Sequence, residues 1–174
     1  MGFSTLFLNR VNHSGIIKGG VIGGKSQSGN YKMDCRFNKD SIVERIKEIA
    51  KHKKSIKIYN LDAKEFIKKS ISRTKKSFTF FDPPYYEEGP GLYTNFYKPK
   101  DHESLVKTIE KYMSGKKWIV TYDCNINIGN LYSDYESYLY YLNYSVTKPS
   151  KGIEYIFFSK ETKIGNIEKF LQLA

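Results

Sequence analysis

The chain has 174 residues, of which 40% are hydrophobic and 16% aromatic, and this excludes a disordered or low-complexity protein. Its net charge of +11 at pH 7 favours a polyanionic partner, and nucleic acid is the first one to test. No apolar run is long enough to span a bilayer and no signal-peptide pattern opens the chain, so we expect a cytoplasmic protein without a membrane partner. Cys35 and Cys124 lie far apart without a CxxC motif or paired histidines, which predicts free thiols and no metal site.

The first half of the chain changes character near Asp40. Residues 1–38 are glycine-rich, polar and basic, with little helical periodicity. Beyond them, apolar residues at helical spacing predict an amphipathic helix, namely Ile42, Val43, Ile46, Ile49 and Ala50. Residues 55–60 alternate and predict a short strand, and residues 63–69 predict a brief helix. Residues 78–81, Phe-Thr-Phe-Phe, predict a strand buried on both faces, because aromatic and β-branched side chains suit a covered, pleated position.

The second half opens with a loop at residues 89–99 and then predicts helices and strands in alternation. Asp101 is expected to cap a helix whose apolar positions are Leu105, Val106, Ile109, Tyr112 and Met113. The further elements are a strand at 117–123, a helical segment at 127–131, an antiparallel pair at 135–146 and 152–159, and a weak closing helix at 162–172. This order is typical of the second half of a doubly wound α/β enzyme.

Asp82, Pro83, Pro84 and Tyr85 follow the strand at residues 78–81 directly. The prolines end the strand, since each removes a ladder donor and fixes φ, and the carboxyl ends of strands are where open α/β sheets bind ligands. The Pro83 carbonyl and the Asp82 carboxylate are two acceptors that suit an exocyclic amino group. They would favour a pyramidal nitrogen with a localised lone pair. Tyr85 offers a flat face on which a base can stack, a contact worth roughly 1–3 kcal/mol.

This motif and its flanks resemble the Dam-type adenine-specific DNA methyltransferases. There the motif is followed by an aromatic, glycine-containing loop and by a helix that starts at an acid, here Asp101 and His102. The further similar segments are residues 6–20 (the family's asparagine-arginine segment), 60–67 (its Asp-containing segment) and 148–159 (its basic-Gly-x-Glu strand). The resemblance spans nearly the whole chain and implies an α/β, partial Rossmann-like methyltransferase fold with a DNA-recognition segment.

The resemblance also implies a reaction and a set of site residues. A methyl group would pass from S-adenosylmethionine to the exocyclic amine of an adenine flipped out of double-stranded DNA. Asp82, Pro83, Pro84 and Tyr85 would be the catalytic motif, and Asp82 and Asp62 would lie at the cofactor, with Asp62 beside its adenosine part. DNA contacts are implied for Arg10, Asn12, Lys18, Lys25, Lys32 and Arg36.

Some of these residues have a structural alternative that the sequence leaves open. Asp62 is at least as well suited to capping the helix at residues 63–69. Arg10 has the alternative of a structural ion pair. His13 lies where the family varies, so no base-reading role is assigned to it.

The family's Phe-x-Gly-x-Gly segment, which cradles the methionine end of the cofactor, has no counterpart in this sequence. The glycines at 19, 20, 23 and 24 follow no strand and open no amphipathic helix, so we interpret them as a turn. We therefore expect residues 1–38 to be the end of the target-recognition segment, and residues 39–174 to be the C-terminal part of the catalytic domain. Such a chain is expected to be inactive alone and to need a complementing chain that carries the glycine-rich segment.

Three functions stay open. The first is a catalytic half of an adenine-specific DNA methyltransferase, and the second is an inactive DNA-binding remnant or subunit of a split methyltransferase. The third is a related enzyme that acts on RNA or on a protein amide, although residues 6–20 favour DNA. In the family's sheet the absent strands would lie between the strands at 55–60 and 78–81. These two are therefore expected either to pair directly or to leave two open edges.

Overall fold

The structure is a computed structural model that describes residues 2–16, 19–87, 96–144 and 150–174. The chain divides into two compact units, and among the described residues the first ends at Tyr59 and the second begins at Asn60. The amphipathic helix predicted near residue 45 lies in the first unit, although we assigned residues 39–174 to the catalytic domain from the sequence. Within the described ranges, no helix has the length and apolar character needed to cross a membrane.

In the part of the first unit that the structure describes, the α-helices are α1 (Gly2–Val11) and α2 (Lys39–Lys51). Helix α2 confirms the amphipathic pattern and starts at Asn38, whose side chain accepts a hydrogen bond from the Ser41 amide at 3.0 Å. Helix α1 was missed, because its sequence has weak periodicity and no acidic residue in its first turn. Ring contacts support it instead: Phe7 stacks on Phe3 one turn away and meets Phe37 edge-on.

A tight reversal follows α1. Asn12 and Val21 form an isolated antiparallel bridge, and the Ile22 amide donates to the Val11 carbonyl at 2.9 Å. Gly23 has φ of +86°, and a Cβ there would lie 2.7 Å from the Tyr31 carbonyl oxygen. Only glycine fits such a position, so the interpretation of this glycine run as a turn is confirmed.

The second unit is built on a four-stranded mixed sheet in the order β1-β2-β4-β3. Its strands are β1 (Phe78–Phe81), β2 (Lys117–Asp123), β3 (Glu136–Tyr144) and β4 (Ser150–Phe158). Strands β1 and β2 are parallel, whereas β4 runs antiparallel to both β2 and β3. The mixed sheet confirms the α/β class, and β3 and β4 confirm the antiparallel pair that was predicted at residues 135–146 and 152–159.

Among the described residues, the helices that accompany this sheet are α3 (Ala63–Lys69), α4 (Pro99–Met113) and α5 (Ile126–Leu131). Helix α4 is the crossover between parallel β1 and β2, and it buries Leu105, Val106, Ile109 and Met113 as its spacing predicted. It begins earlier than expected, with Pro99 in its first turn, where a missing N–H costs nothing. Asp101 is therefore not the cap, but its carboxylate accepts a hydrogen bond from the Lys98 amide at 3.0 Å.

Two apolar clusters of described residues hold the second unit together. The larger one combines α4 with alternate residues of β2 (Trp118, Val120 and Tyr122), all nearly inaccessible to solvent. The smaller one joins Tyr140, Ile156 and Phe158 to the residues that follow β4. The closing helix expected at 162–172 is only a 3₁₀ turn, Ile167–Lys169, because Leu173 instead bridges to Tyr140 on β3.

Two strand predictions need correction. Residues 55–60 form no strand, and Ile58 is 90% exposed, since alternation produces a strand only where a neighbouring backbone completes the ladder. Strand β1 exists as predicted, but Phe78 and Phe80 are 57% and 55% exposed, so burial on both faces was wrong. The reason is that β1 is the edge strand of the described sheet. Of the predicted loop at 89–99, residues 89–95 lie outside the described ranges.

Candidate active site

The Asp82–Tyr85 segment lies at the carboxyl end of β1, beside the matching end of β2. The parallel register pairs Phe81 with Val120, which brings the next residue of each strand together. The Thr121 hydroxyl donates to Asp82 Oδ1 at 3.4 Å, while the residue Asp82 stays exposed. Pro83 is buried and Pro84 half-buried. The turn is thus fixed through its prolines and presents its carboxylate to solvent.

Tyr85 is half-buried, and its side chain is held by a glutamate that comes much later in the sequence. Its hydroxyl donates to Glu154 Oε1, and the Tyr140 hydroxyl donates to Glu154 Oε2 at 2.7 Å. Glu154 lies on β4 and is 3% exposed. We did not assign it a role from sequence, although an acid within the otherwise apolar residues 153–158 of that strand was a visible clue.

Asp123 holds the residues that follow the motif. Its two carboxylate oxygens accept hydrogen bonds from the backbone amides of Tyr86, at 2.8 Å, and Glu87, at 3.1 Å. The Asn125 side chain donates to Glu87 Oε1 at 2.6 Å. The sequence marked Asp123 only as the end of a strand, and its position beside the motif follows from the β1–β2 pairing.

His102 lies beneath this segment in an aromatic setting. Its Nδ1 is 2.8 Å from the Tyr122 hydroxyl, and its ring lies 5.0 Å from that of Tyr86 and 5.2 Å from that of Tyr97. Burial lowers the pKa of His102, and the nearby carboxylates of Asp123 and Asp101 oppose this only in part. Its Nε2 is buried without a hydrogen-bond partner among the described residues. His102 therefore supports the site as a neutral side chain.

A cavity of about 240 Å³ adjoins Asp82 on the side of α3. Phe66, Phe80 and Tyr97 contribute aromatic side chains to its wall, and Asp82 contributes a polar edge. Asp62 caps α3, since its Oδ1 accepts from the amides of Lys64 at 3.0 Å and Glu65 at 3.4 Å. The capping alternative is thus what the structure shows for Asp62, and the same carboxylate is exposed at the start of the helix that lines the cavity.

The residues implied to contact DNA lie in the first unit and differ in exposure. Arg10 donates from Nε to the Arg36 carbonyl at 2.7 Å, a backbone hydrogen bond where we considered an ion pair. Asn12 is only 5% exposed. Lys25 and Lys32 are exposed, with the Lys32 ammonium at the Gln27 carbonyl, and Arg36 is half-buried. Lys18 lies outside the described residues.

The first unit also contains an open cavity of about 780 Å³. His13, Tyr31 and Arg36 are among its lining residues, so a hydrogen-bonding ring, an exposed phenol and a cation face the same space. Sequence patterns had not brought these three side chains together, because the glycine turn that joins them has no periodicity. Such groups are suited to phosphates and base edges.

An Asp-Pro-Pro-Tyr turn thus lies at the carboxyl end of a parallel strand with its acid exposed, which is the arrangement that the resemblance to amino-group methyltransferases implied. The model of the D12 class N6 adenine-specific DNA methyltransferase family matches residues 3–172. The chain therefore belongs to this family, which confirms the resemblance drawn from its motifs. A search of curated proteins found no match to the chain.

Proposed function

We propose that this chain transfers a methyl group from S-adenosylmethionine to the exocyclic amine of an adenine flipped out of double-stranded DNA. The observation that carries the proposal is the Asp82 carboxylate, exposed at the end of β1 on a turn that two prolines hold. Family membership supports the adenine and DNA parts of this statement. The geometry of the motif supports the assignment of its residues.

The chemistry of the motif depends on two acceptors at one place. The Asp82 carboxylate and the Pro83 carbonyl would accept the two amino hydrogens of the adenine, drawing them out of the ring plane. The nitrogen lone pair is then localised, which electrostatic preorganisation of this kind achieves without a strong base. Thr121 holds one oxygen of Asp82 and leaves the rest of the carboxylate for the substrate. As the N–CH₃ bond forms, the S–CH₃ bond of the donor would break with S-adenosylhomocysteine as the leaving group, and Asp82 would take up the proton that the methylated amine releases.

The cavity beside Asp82 supports a place for the cofactor. Its aromatic walls suit the flat purine of S-adenosylmethionine, which when bound supplies the electrophilic methyl group. We propose that Asp62 and Asp82 hold this cofactor, Asp62 near the adenosine part. Capping of α3 uses Asp62 Oδ1, so the same carboxylate would orient the helix and meet the cofactor.

We further propose that residues 1–38 form the end of the target-recognition segment. The exposed Lys25 and Lys32 support phosphate contacts, and the cavity with His13 and Arg36 supports contact with an extruded or groove-facing group. Arg10 would support DNA binding indirectly, because its side chain is hydrogen-bonded to the Arg36 carbonyl. The buried Asn12 would position this region, with Lys18 as a further candidate for contact.

The exposed edge of β1 favours a second proposal, a complementing chain. Phe78 and Phe80 are more than half exposed there, and an edge strand carries unpaired backbone groups. We propose that a polypeptide with the family's glycine-rich cofactor segment covers this edge and completes the enzyme. Without it the chain would be a DNA-binding subunit with weak or no turnover.

The test measures transfer from labelled S-adenosylmethionine to unmethylated, adenine-containing DNA. The chain is assayed alone and with a polypeptide that carries the Phe-x-Gly-x-Gly segment, and label is expected on adenine N6 in the complete system. Asp82→Ala should abolish transfer with little change in melting temperature, whereas Asp134→Ala, an exposed acid outside the motif, should not. Full activity of Asp82→Ala would overturn the proposed function, and robust turnover by the chain alone would overturn the complementing chain.

A further inference from the structure

Glu154 is a carboxylate in an unfavourable place. It is 3% exposed, in the middle of β4, and its cross-strand partners are Tyr140 on β3 and Asp123 on β2. A buried carboxylate is costly unless hydrogen bonds replace the water that it loses. An aliphatic side chain would fill the same position without that cost. The contacts that Glu154 makes therefore indicate the role of its carboxylate.

Both oxygens of Glu154 accept hydrogen bonds from phenols. One phenol, Tyr140, belongs to the neighbouring strand and comes within reach through strand pairing alone. The other, Tyr85, belongs to the Asp-Pro-Pro-Tyr turn, which the chain reaches from a separate strand. Glu154 thus connects the rigid antiparallel half of the sheet to the aromatic residue of the motif.

We propose that Glu154 is a positioning residue that holds the ring of Tyr85 in the place where the target base stacks. This inference rests on the proposed function. A charge-assisted hydrogen bond at the hydroxyl fixes the far end of the ring axis and so restrains rotation about the Cα–Cβ bond. The ring plane is coupled to the same bond, because a phenolic O–H prefers to lie in the plane of its ring. The ring is therefore held before the base arrives, so its ordering does not oppose the alignment of the amine with Asp82.

The role of Asp123 differs from that of Glu154. Asp123 holds the backbone after the motif through the amides of Tyr86 and Glu87. The bond from the Tyr85 hydroxyl to Glu154 Oε1 instead acts on the far end of the ring itself. Loss of this bond should therefore affect alignment in the transition state more than the affinity for DNA.

The experiment is a double-mutant cycle with Tyr85→Phe and Glu154→Gln. Tyr85→Phe keeps the stacking ring and removes the tether, and Glu154→Gln keeps the shape of the anchor and removes its charge. In the assay with the complementing polypeptide, each is expected to lower kcat about tenfold or more with a smaller change in KM for DNA, and the double variant should be no worse than the poorer single one. Wild-type turnover in Tyr85→Phe, or losses that multiply in the double variant, would overturn the proposal.

A matched control is available on the same sheet. The Tyr138 hydroxyl donates to Glu136 Oε1 at 2.9 Å, which is also a phenol–carboxylate pair but an exposed one. Glu136→Gln should leave kcat and KM unchanged. If Glu154→Gln does not fold, the melting temperature shows it, and Tyr85→Phe against Tyr138→Phe then decides the matter.

A second readout is independent of turnover. Fluorotyrosine placed at position 85 reports the surroundings of that ring by ¹⁹F NMR. Its resonance should shift or broaden in Glu154→Gln and stay in place in Glu136→Gln. An unmoved resonance in Glu154→Gln would overturn the tether, whereas a moved resonance in a chain that methylates no DNA would count against the proposed function alone.

Discussion

Two aspartates, one in the motif and one beside it, show that the position of a carboxylate determines its role. Asp82 is exposed, with one oxygen near the Thr121 hydroxyl, and its carboxylate faces solvent where a substrate can reach it. Asp123, at the end of the neighbouring strand, is partly covered and uses both oxygens on backbone amides. The first acid is suited to chemistry and the second to holding the chain that surrounds it.

We expect Asp123→Asn to destabilise the second unit. The amide group that replaces one oxygen would face a backbone N–H, so a charge-assisted hydrogen bond becomes a contact between two donors. The expected loss is about 1–3 kcal/mol in the free energy of unfolding, measured by urea denaturation. Asp134→Asn is the control, and equal stability of the two variants would contradict the role of Asp123.

His102 predicts a pH dependence of stability. Burial depresses its pKa in the folded chain, so the unfolded chain binds more protons below its own pKa of about 6.5. Stability should therefore be full above that pH and fall as the pH drops below about 6.5, by at most about 1.4 kcal/mol per pH unit. Urea unfolding at several pH values measures this slope.

The variant His102→Gln identifies the source of this slope. It should flatten the dependence just below about pH 6.5, while His52→Gln, at an exposed histidine that follows α2, serves as the control. A slope that survives in His102→Gln would assign the proton uptake to other groups.

At the scale of elements, helix α3 joins a structural role to a proposed functional one at Asp62. Asp62→Ala should cost about 1 kcal/mol of stability, because the first turn loses its cap. Asp62→Ser retains a capping oxygen and should keep most of that stability, but it removes the carboxylate proposed to meet the cofactor. Calorimetric titration with S-adenosylmethionine separates the roles, and unchanged affinity in Asp62→Ser would leave Asp62 with capping alone.

The elements that sequence predicted well are those with local causes. Helix α4 and strand β2 bury the residues that their periodicity selects, since both lie in the middle of the core. The strand predicted at residues 55–60 is absent because an alternating pattern does not supply a pairing partner. Helix α1 was missed because ring contacts with Phe37, and not its own periodicity, support it.

The residues of the candidate site also differ in whether the sequence alone predicts their roles. Asp82 and Tyr85 could be predicted, because a strand followed by two prolines places them at a ligand-binding edge. Glu154 and Asp123 could not be predicted as their supports, since their contacts depend on the register of three strands. Local patterns identify the reacting groups, whereas long-range pairing decides what holds them.

At the scale of the whole molecule, the charge of +11 predicts how DNA binding responds to salt. Each phosphate neutralised by a cation releases counterions, so the logarithm of the binding constant should fall linearly with the logarithm of salt concentration. Lys25→Gln should reduce this slope by about one if the exposed Lys25 meets one phosphate. Fluorescence anisotropy with a labelled duplex measures it, and salt-insensitive binding would contradict a nucleic-acid partner.

The uncovered aromatic edge of β1 also has a practical consequence for anyone who purifies this chain. Like charges keep copies apart at low ionic strength, but salt screens that repulsion and lets exposed edges meet. Light scattering should therefore show particles growing as sodium chloride is added, and Phe80→Lys should slow that growth. A buffer of low ionic strength should therefore limit aggregation of this protein, in contrast to the high salt commonly chosen for basic proteins.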